Sequence, residues 1–373
     1  MSWSVRLFTV RGIPVRIHAS FLLIVAWAVY AGLSGRGANS ALGSVAFMVL
    51  FTLLLFACVV LHELGHSLVA QQFGVKVHDI TLWPIGGVAR LANMPKRPLA
   101  EFVITAAGPL VNLILALLFG VAAVAAIGPE RLLTMIATGR GWFRLIDAQD
   151  GTALLLLLTV QNLLLAVFNL IPAFPLDGGR LLRSFLAALL PFRAATRAAS
   201  FVGQGLAVVL VGLGFLRPGN FFLALVGAFV FLGAWQERSQ VMTQERLARY
   251  TARDAMQPLG RRLAPGELVT TVARQIAASP QSAYLVGAGE EIIGLISRDA
   301  LLKAAKKAGE TATVSGLALG RPVFVTSDAT LEDAQAALGL DGAALVVENH
   351  ITVGVLSRAD IARLDAALEA LGS

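Results

Sequence analysis

The stretch Val59-Val60-Leu61-His62-Glu63-Leu64-Gly65-His66-Ser67-Leu68-Val69-Ala70 sets two histidines and one glutamate inside an apolar run. Its spacing is HExxH. On a helix, residues four apart share a face, so both imidazoles can reach one metal ion. Glu63 follows the first histidine and sits beside that face, placed to accept a proton from a water on the metal. Zinc suits such a pair. A catalytic zinc takes three protein ligands, keeps its fourth position for water and lowers the pKa of that water toward about 7. Chance is a poor account of the motif, because a charged group at the bilayer centre costs roughly 2.5–3.5 kcal/mol on insertion scales. A structural pair of histidines would not need Glu63. Cys58 lies one helical turn before His62. As a fourth ligand it would close the water position, so it reads as a small buried residue.

HExxH supplies two ligands, and a third must come from elsewhere. The segment Asn169-Leu170-Ile171-Pro172-Ala173-Phe174-Pro175-Leu176-Asp177-Gly178-Gly179 ends a later apolar stretch. Pro172 and Pro175 break the helix, and Gly178 and Gly179 are expected to free the backbone beyond Asp177. Unwound backbone at membrane depth is tolerated where it lines a wet cavity or is buried in protein. Asp177 there is either a metal ligand or the N-cap of a short helix over 179–192. The residues alone leave both open.

The elements that must position these groups follow from composition. Of 373 residues, 57% are hydrophobic and 14% charged, against roughly 25% charged in soluble proteins. Six stretches are long and apolar enough for spanning helices: 17–34, 43–72, 101–127, 152–172, 196–216 and 219–236. The last two are joined by a tight Arg217-Pro218-Gly219-Asn220 turn. Arg6, Arg11 and Arg16 precede the first stretch, which resembles a secretory signal but continues into further apolar segments, so it is expected to stay as a transmembrane helix. Six spans put both termini on one side. Lys and Arg in the connecting segments favour that side by 11 to 5, with Arg180, Arg183, Arg193 and Arg197 among them. The positive-inside rule then places both termini in the cytosol of a multi-pass cell-membrane protein. In this setting the net charge of +7 reflects topology, and no nucleic acid partner is expected.

Composition changes near residue 237. The expected domains are a transmembrane part, 1–237, a charged linker, 238–254, and a soluble part, 255–373. The soluble part carries a repeat offset by 60 residues: Ala283-Tyr284-Leu285-Val286 and Ile293-Gly294-Leu295-Ile296-Ser297-Arg298 recur as Ala343-Ala344-Leu345-Val346 and Val353-Gly354-Val355-Leu356-Ser357-Arg358. Each copy reads as a helix, two short strands and a second helix. The fold class is thus a polytopic α-helical membrane protein of about six transmembrane helices with a C-terminal α/β domain.

The pairing of His62-Glu63-Leu64-Gly65-His66 with Asn169, Pro172 and Pro175-Leu176-Asp177-Gly178-Gly179 resembles the site-2 protease family of intramembrane zinc metalloproteases. Gly108-Pro109-Leu110-Val111-Asn112 is similar to that family's middle helix, and the repeat resembles a tandem pair of CBS domains, which one branch of the family carries in place of a PDZ domain. The resemblance implies one zinc ion per chain held by His62, His66 and Asp177. It implies Glu63 as the general base that activates water and later protonates the leaving amine. Asn169 would help bind substrate or the oxyanion. Asn112 reads rather as a helix-packing residue. The substrate would be a membrane-anchored protein cut in or near its transmembrane segment, within the lipid bilayer. CBS pairs take ATP- or AMP-type ligands, and Ser357-Arg358-Ala359-Asp360 fits the family's pattern for phosphate and ribose, making Ser357 and Asp360 candidate nucleotide contacts. Ser297-Arg298-Asp299-Ala300 has its Asp one position early. The alternative role for the pair is a dimerisation platform without ligand.

A competing function is a non-proteolytic metal-binding protein or transporter gated by a CBS domain. Transporters set ionisable groups along a path through several spans, whereas here they are expected to cluster at one place. Residues 78–90 alternate polar and apolar and are expected to turn at Gly86-Gly87. They read either as a hairpin whose edge pairs with an unwound substrate or as a membrane-skimming loop. His18, His78 and His350 have no partner in the sequence pattern and no expected role.

Overall fold

The structure, a computed structural model, describes residues 3–34, 40–84, 86–91, 97–138, 147–216, 220–288, 291–307, 309, 311–317, 323–338 and 342–371. The chain forms two compact units, Met1–Arg238 and Ser239–Ser373.

The first unit opens with a hairpin ahead of the first apolar stretch. Strands β1 (Ser4–Val10) and β2 (Ile13–His18) are joined at Arg11 and Gly12, which both take positive φ, 44° and 83°. Two positive φ values in a row are what a two-residue hairpin turn of type I′ requires. Strand β2 pairs in parallel with β3 (Val77–Trp83), and β3 pairs antiparallel with β4 (Gly86–Leu91). The order β1-β2-β3-β4 leaves β4 at an edge. One face of this sheet is apolar. Its Ile13, Val15, Ile80 and Leu82 are buried against Phe21, Phe56, Val60 and Leu64. On the other face the Asp79 carboxylate accepts a hydrogen bond from Arg90 Nε at 2.6 Å and a second from Nη2, with Arg16 Nε at 3.6 Å. The hydrogen bonds from Arg90 hold the Asp79 carboxyl below the usual carboxylate range, against the opposing effect of burial.

Because β2 takes residues up to His18, the first apolar stretch becomes a 3-10 turn and a 13-residue helix, α1 (Leu22–Ser34). Such a helix rises about 20 Å, short of a hydrocarbon core of about 30 Å. Among the described residues, five helices are long and apolar enough to cross a membrane: α2 (Ala41–Gln72), α3 (Pro98–Ile127), α5 (Gly151–Asn169), α7 (Phe192–Leu216) and α8 (Phe221–Leu247). A short α4 (Pro129–Thr138) follows α3. Residues 217–219 of the expected tight turn lie outside the described residues. The chain is a multi-pass membrane protein.

Between α5 and α7 lies α6 (Asp177–Ala187), two residues earlier at its start than the sequence suggested. Gly178 and Gly179 are helical, and their role differs from the freedom expected of them. A Cβ on Gly178 would stand 2.1 Å from the Ile171 carbonyl oxygen, and one on Gly179 would stand 2.5 Å from the Phe174 nitrogen. The pair lets α6 fold back onto the Pro172–Pro175 loop.

Residues 239–254 do not behave as a free linker. Helix α8 continues to Leu247, Arg246 pairs with Asp365 at 2.9 Å, and Leu247 and Ala252 are buried with Leu331, Val346 and Leu356. The second unit continues with α9 (Ala252–Ala255), β5 (Gln257–Pro258), α10 (Val269–Ile276), β6 (Ala283–Ala288), β7 (Glu291–Ser297), α11 (Arg298–Ala305), β8 (Phe324–Thr326), α12 (Leu331–Ala337), β9 (Ala343–Glu348), β10 (Ile351–Ser357) and α13 (Arg358–Ala370). The 60-residue repeat is visible as α10-β6-β7-α11 and α12-β9-β10-α13. Ala283, Leu285 and Leu295 share one core with their repeat counterparts Ala343, Leu345 and Val355. The two copies therefore bury equivalent strand faces against each other.

Candidate metal centre

Helix α2 presents His62 and His66 on one face, as the spacing requires. Their Nε2 atoms are 3.1 Å apart. Asp177, the first residue of α6, brings its Oδ2 to 3.3 Å from His62 Nε2 and 3.2 Å from His66 Nε2. The N-cap of α6 is Leu176 and Asp177 is already helical, so the capping alternative does not describe it. These three residues form a group able to hold a metal ion.

Helix α3 orients the histidines. His62 Nδ1 lies 3.0 Å from Asn112 Oδ1, and His66 Nδ1 lies 2.9 Å from the Ile104 carbonyl oxygen. Ile104 O can only accept, so His66 Nδ1 carries the proton. With Asn112 Oδ1 as acceptor, His62 takes the same tautomer. Both Nε2 atoms then turn lone pairs toward each other and toward the Asp177 oxygen. Asp177 Oδ2 is buried and accepts no hydrogen bond. Three electron pairs facing one point repel unless a cation lies among them. Zinc with bonds of about 2.0–2.1 Å in a tetrahedron sets neighbouring ligand atoms about 3.3 Å apart. The observed separations fit that ion.

Gly108 explains how α3 approaches so closely. A Cβ there would stand 2.1 Å from His66 Nε2 and 2.8 Å from His62 Nε2. Asn112, expected to be a packing residue, instead fixes one of the imidazoles, and its partner could have been sought in the Gly108–Asn112 motif. Glu63 is partly buried beside the histidines. Strand β4 covers it: a Cβ on Gly87 would be 2.8 Å from Glu63 Cγ. The hairpin reading of 78–90 agrees with this pairing. The reversal comes earlier than Gly86-Gly87, because Trp83 already pairs with Gly86 and both glycines belong to β4. Cys58 is buried and stays outside the metal-binding group. Asn169 ends α5, partly buried. His18 stacks on Trp83, with ring centroids 3.9 Å apart.

A second cluster of charge was not legible. Arg183 is buried between Glu101 and Glu237, so it is not the loop charge that the topology count assumed. In the second unit Ser357 and Asp360 form the capping box of α13, and Asp360 Oδ2 also accepts from Ser282 Oγ. The positions related to Ser282, Ser357 and Asp360 by the 60-residue offset hold Gly342, Ser297 and Ala300, without a carboxylate.

Comparison with known proteins agrees with these observations. Residues 50–213 match the model of peptidase family M50, and residues 314–367 match the CBS domain. The chain is 34% identical over 370 residues to the zinc metalloprotease MJ0392 of Methanocaldococcus jannaschii, covering 99% of this chain and 98% of that one. It is 32% identical over 382 residues to Rip3 of Mycobacterium tuberculosis, covering 95% and 91%. Among solved structures it is similar to a site-2 protease from Methanocaldococcus jannaschii, at 36% identity and a TM-score of 0.42, over 63% of this chain and 95% of that one. With HExxH on a spanning helix, a third donor brought to it and kinship along almost its whole length, the chain belongs to peptidase family M50, the site-2 proteases, as a membrane zinc metalloprotease with a C-terminal CBS domain.

Proposed function

We propose that this protein hydrolyses a peptide bond in or near the transmembrane segment of a membrane-anchored protein, with His62, His66 and Asp177 holding one zinc ion and Glu63 as general base. The observation that carries this reading is the convergence of three buried lone pairs at 3.1–3.3 Å beside one carboxylate. The zinc would supply the Lewis acidity that makes water nucleophilic at neutral pH. Glu63 takes the proton of the attacking water and returns it to the leaving amine. Asn112 and Ile104 keep the imidazoles in the tautomer that leaves Nε2 free.

A helical peptide bond is shielded by its own hydrogen bonds, so the substrate must unwind. Strand β4 lies at a sheet edge directly over Glu63, and an extended segment paired to that edge would pass the base. With β2 paired to β3, which follows α2, and four spanning helices after it, this reading keeps both termini and the CBS domain on one side, the cytosolic side that Lys and Arg favour. Ser357 and Asp360 are the candidate contacts for an adenine nucleotide that would modulate the protease. Such a ligand has to compete with Ser282 for the carboxylate of Asp360, and calorimetry of the full chain with ATP, ADP and AMP tests it.

The transporter reading gains nothing from the second charged cluster. Arg183, Glu101 and Glu237 close on each other. The deciding experiment is cleavage of a tagged transmembrane peptide by purified protein, with Glu63→Gln as control. Loss of about 10²–10⁴ in rate with zinc retained is expected, since that is what a general base contributes. Equal rates in both proteins would refute the assignment of Glu63.

A further inference from the structure

Among the described residues, the most deeply buried ion pair of the membrane unit takes no part in the chemistry above. The Arg183 side chain is 4% exposed and that of Glu101 is 1% exposed. Arg183 Nε and Nη2 both donate to Glu101 Oε1, the former at 2.8 Å, and Nη1 donates to Glu237 Oε1 at 2.6 Å. The guanidinium carbon lies 5.2 Å from the centroid of the Phe174 ring and 5.1 Å from that of Phe192.

We infer that Arg183 and Glu101 are positioning residues of the metal centre: their ion pair locks α6, which carries Asp177, against α3, which orients both histidines. The inference rests on the assignment of His62, His66 and Asp177 as ligands. Glu101, Ile104, Gly108 and Asn112 recur at offsets of 3, 7 and 11 residues, one stripe of α3. Three members of that stripe serve the histidines. Ile104 O holds His66, Asn112 holds His62, and Gly108 makes room for both. Glu101 is the fourth, one turn nearer the start of α3.

On the other side, Arg183 lies six residues after Asp177 on α6. Its guanidinium also stacks near Phe174, which is fully buried in the loop leading into Asp177. One side chain thus touches the stripe that holds the histidines and the loop and helix that deliver the third ligand. Displacement of α6 along α3 would break the Arg183–Glu101 contact and withdraw Asp177 together. Stability is a poor reason for the arrangement. Desolvation offsets most of what a buried ion pair gains, and Glu101 Oε2 is left buried without a hydrogen-bond partner. What an arginine fork offers over a point charge is fixed geometry, and a metal site needs its ligands fixed to within about 0.5 Å.

The test uses the full-length chain in nanodiscs. Zinc affinity is measured by competition with a chromophoric chelator, cobalt(II) is used as a spectroscopic substitute, and folding is followed by thermal unfolding. Wild type and His66→Ala come first: stoichiometric zinc in the former and none in the latter secures the ligand assignment, and any other result defeats that assignment rather than this inference. Arg183→Gln and Glu101→Gln are expected to weaken zinc binding about 10–100-fold, the usual effect of removing support behind a ligand, and to change the cobalt visible bands. Arg183→Lys keeps a buried cation without the fork, which protects folding, and is expected to fall between wild type and Arg183→Gln in affinity. Folded variants with wild-type zinc affinity and cobalt spectrum overturn the inference, even if their unfolding temperature drops. If both glutamine variants fail to fold, Arg183→Lys decides alone: wild-type affinity and spectrum overturn it, and weakened affinity with shifted bands supports it.

Discussion

His62 Nδ1 lies 3.0 Å from Asn112 Oδ1, fifty residues further along the chain and on the neighbouring helix. A single amide thus decides which nitrogen of His62 is free. Replacing it with leucine removes the acceptor and lets the imidazole rotate or change tautomer. Asn112→Leu is expected to weaken zinc binding about 10–100-fold, while Asn112→Asp, which retains an acceptor, keeps most of the affinity. Chelator competition on the two purified variants reads the difference, and equal affinity in both would remove Asn112 from the centre.

Gly108 gives a sharper test of the same helix. An alanine Cβ would fall 2.1 Å from His66 Nε2, inside any permitted contact. Elsewhere in a helix, Gly to Ala is stabilising by roughly 1 kcal/mol. Gly108→Ala should therefore fold, lose its zinc and lose proteolysis together. Metal analysis beside a thermal unfolding curve checks this. A folded, zinc-loaded Gly108→Ala protein would show that the helices separate more easily than the packing implies.

The residues around Asp177 left ligand and N-cap both open, and only the family resemblance chose between them, whereas the sequence made His62 and His66 legible as a pair because HExxH is a local pattern with few alternative uses. The 60-residue repeat was legible for the same reason. What it hid depends on long-range partners. Residues 4–18 alternate well enough for strands, but Arg6, Arg11 and Arg16 before an apolar run resemble the flank of a first spanning helix. The parallel pairing of β2 with β3 that decides the matter joins residues more than 60 positions apart. Arg183 shows the same limit. A charge in a connecting segment counts toward topology until the fold supplies Glu101, at a separation of 82 residues, and Glu237, at 54. Asn112 resembled a packing residue because nothing local says that His62 faces it.

Asp79 should make the β-sheet sensitive to acid. Hydrogen bonds from Arg90 hold its carboxyl below the ordinary carboxylate range in the folded protein, while the unfolded value is about 3.9. A group whose folded pKa is depressed contributes stability above its unfolded pKa, and that contribution is lost as pH falls through the folded value. Asp79→Asn is expected to cost about 1.5–3 kcal/mol at neutral pH, the range for hydrogen bonds to a charged group. The difference from wild type should shrink below about pH 4. Unfolding temperatures of the two proteins from pH 7 down to pH 3 measure it. A pH-independent gap would mean that the carboxylate charge is not what Arg90 recognises.

Strand β4 offers the last separation of roles. It is an edge of the sheet, it packs on Glu63 through Gly87, and its Val88 is 52% exposed. If an unwound substrate pairs with this edge, the edge contributes binding and alignment but no metal ligand. Proline at Val88 removes a backbone donor and restricts the strand without adding a charge. Val88→Pro should retain stoichiometric zinc and lower cleavage of a transmembrane peptide by about tenfold or more, on the scale of one or two lost hydrogen bonds. Val88→Ala leaves the backbone intact and should cleave nearly as wild type does. The pair separates an edge that binds substrate from one that merely covers Glu63. If Val88→Pro cleaves at the wild-type rate, the substrate must reach Glu63 without pairing to β4. If it loses zinc as well as activity, β4 supports the metal centre itself, and strand addition is not needed to explain the loss.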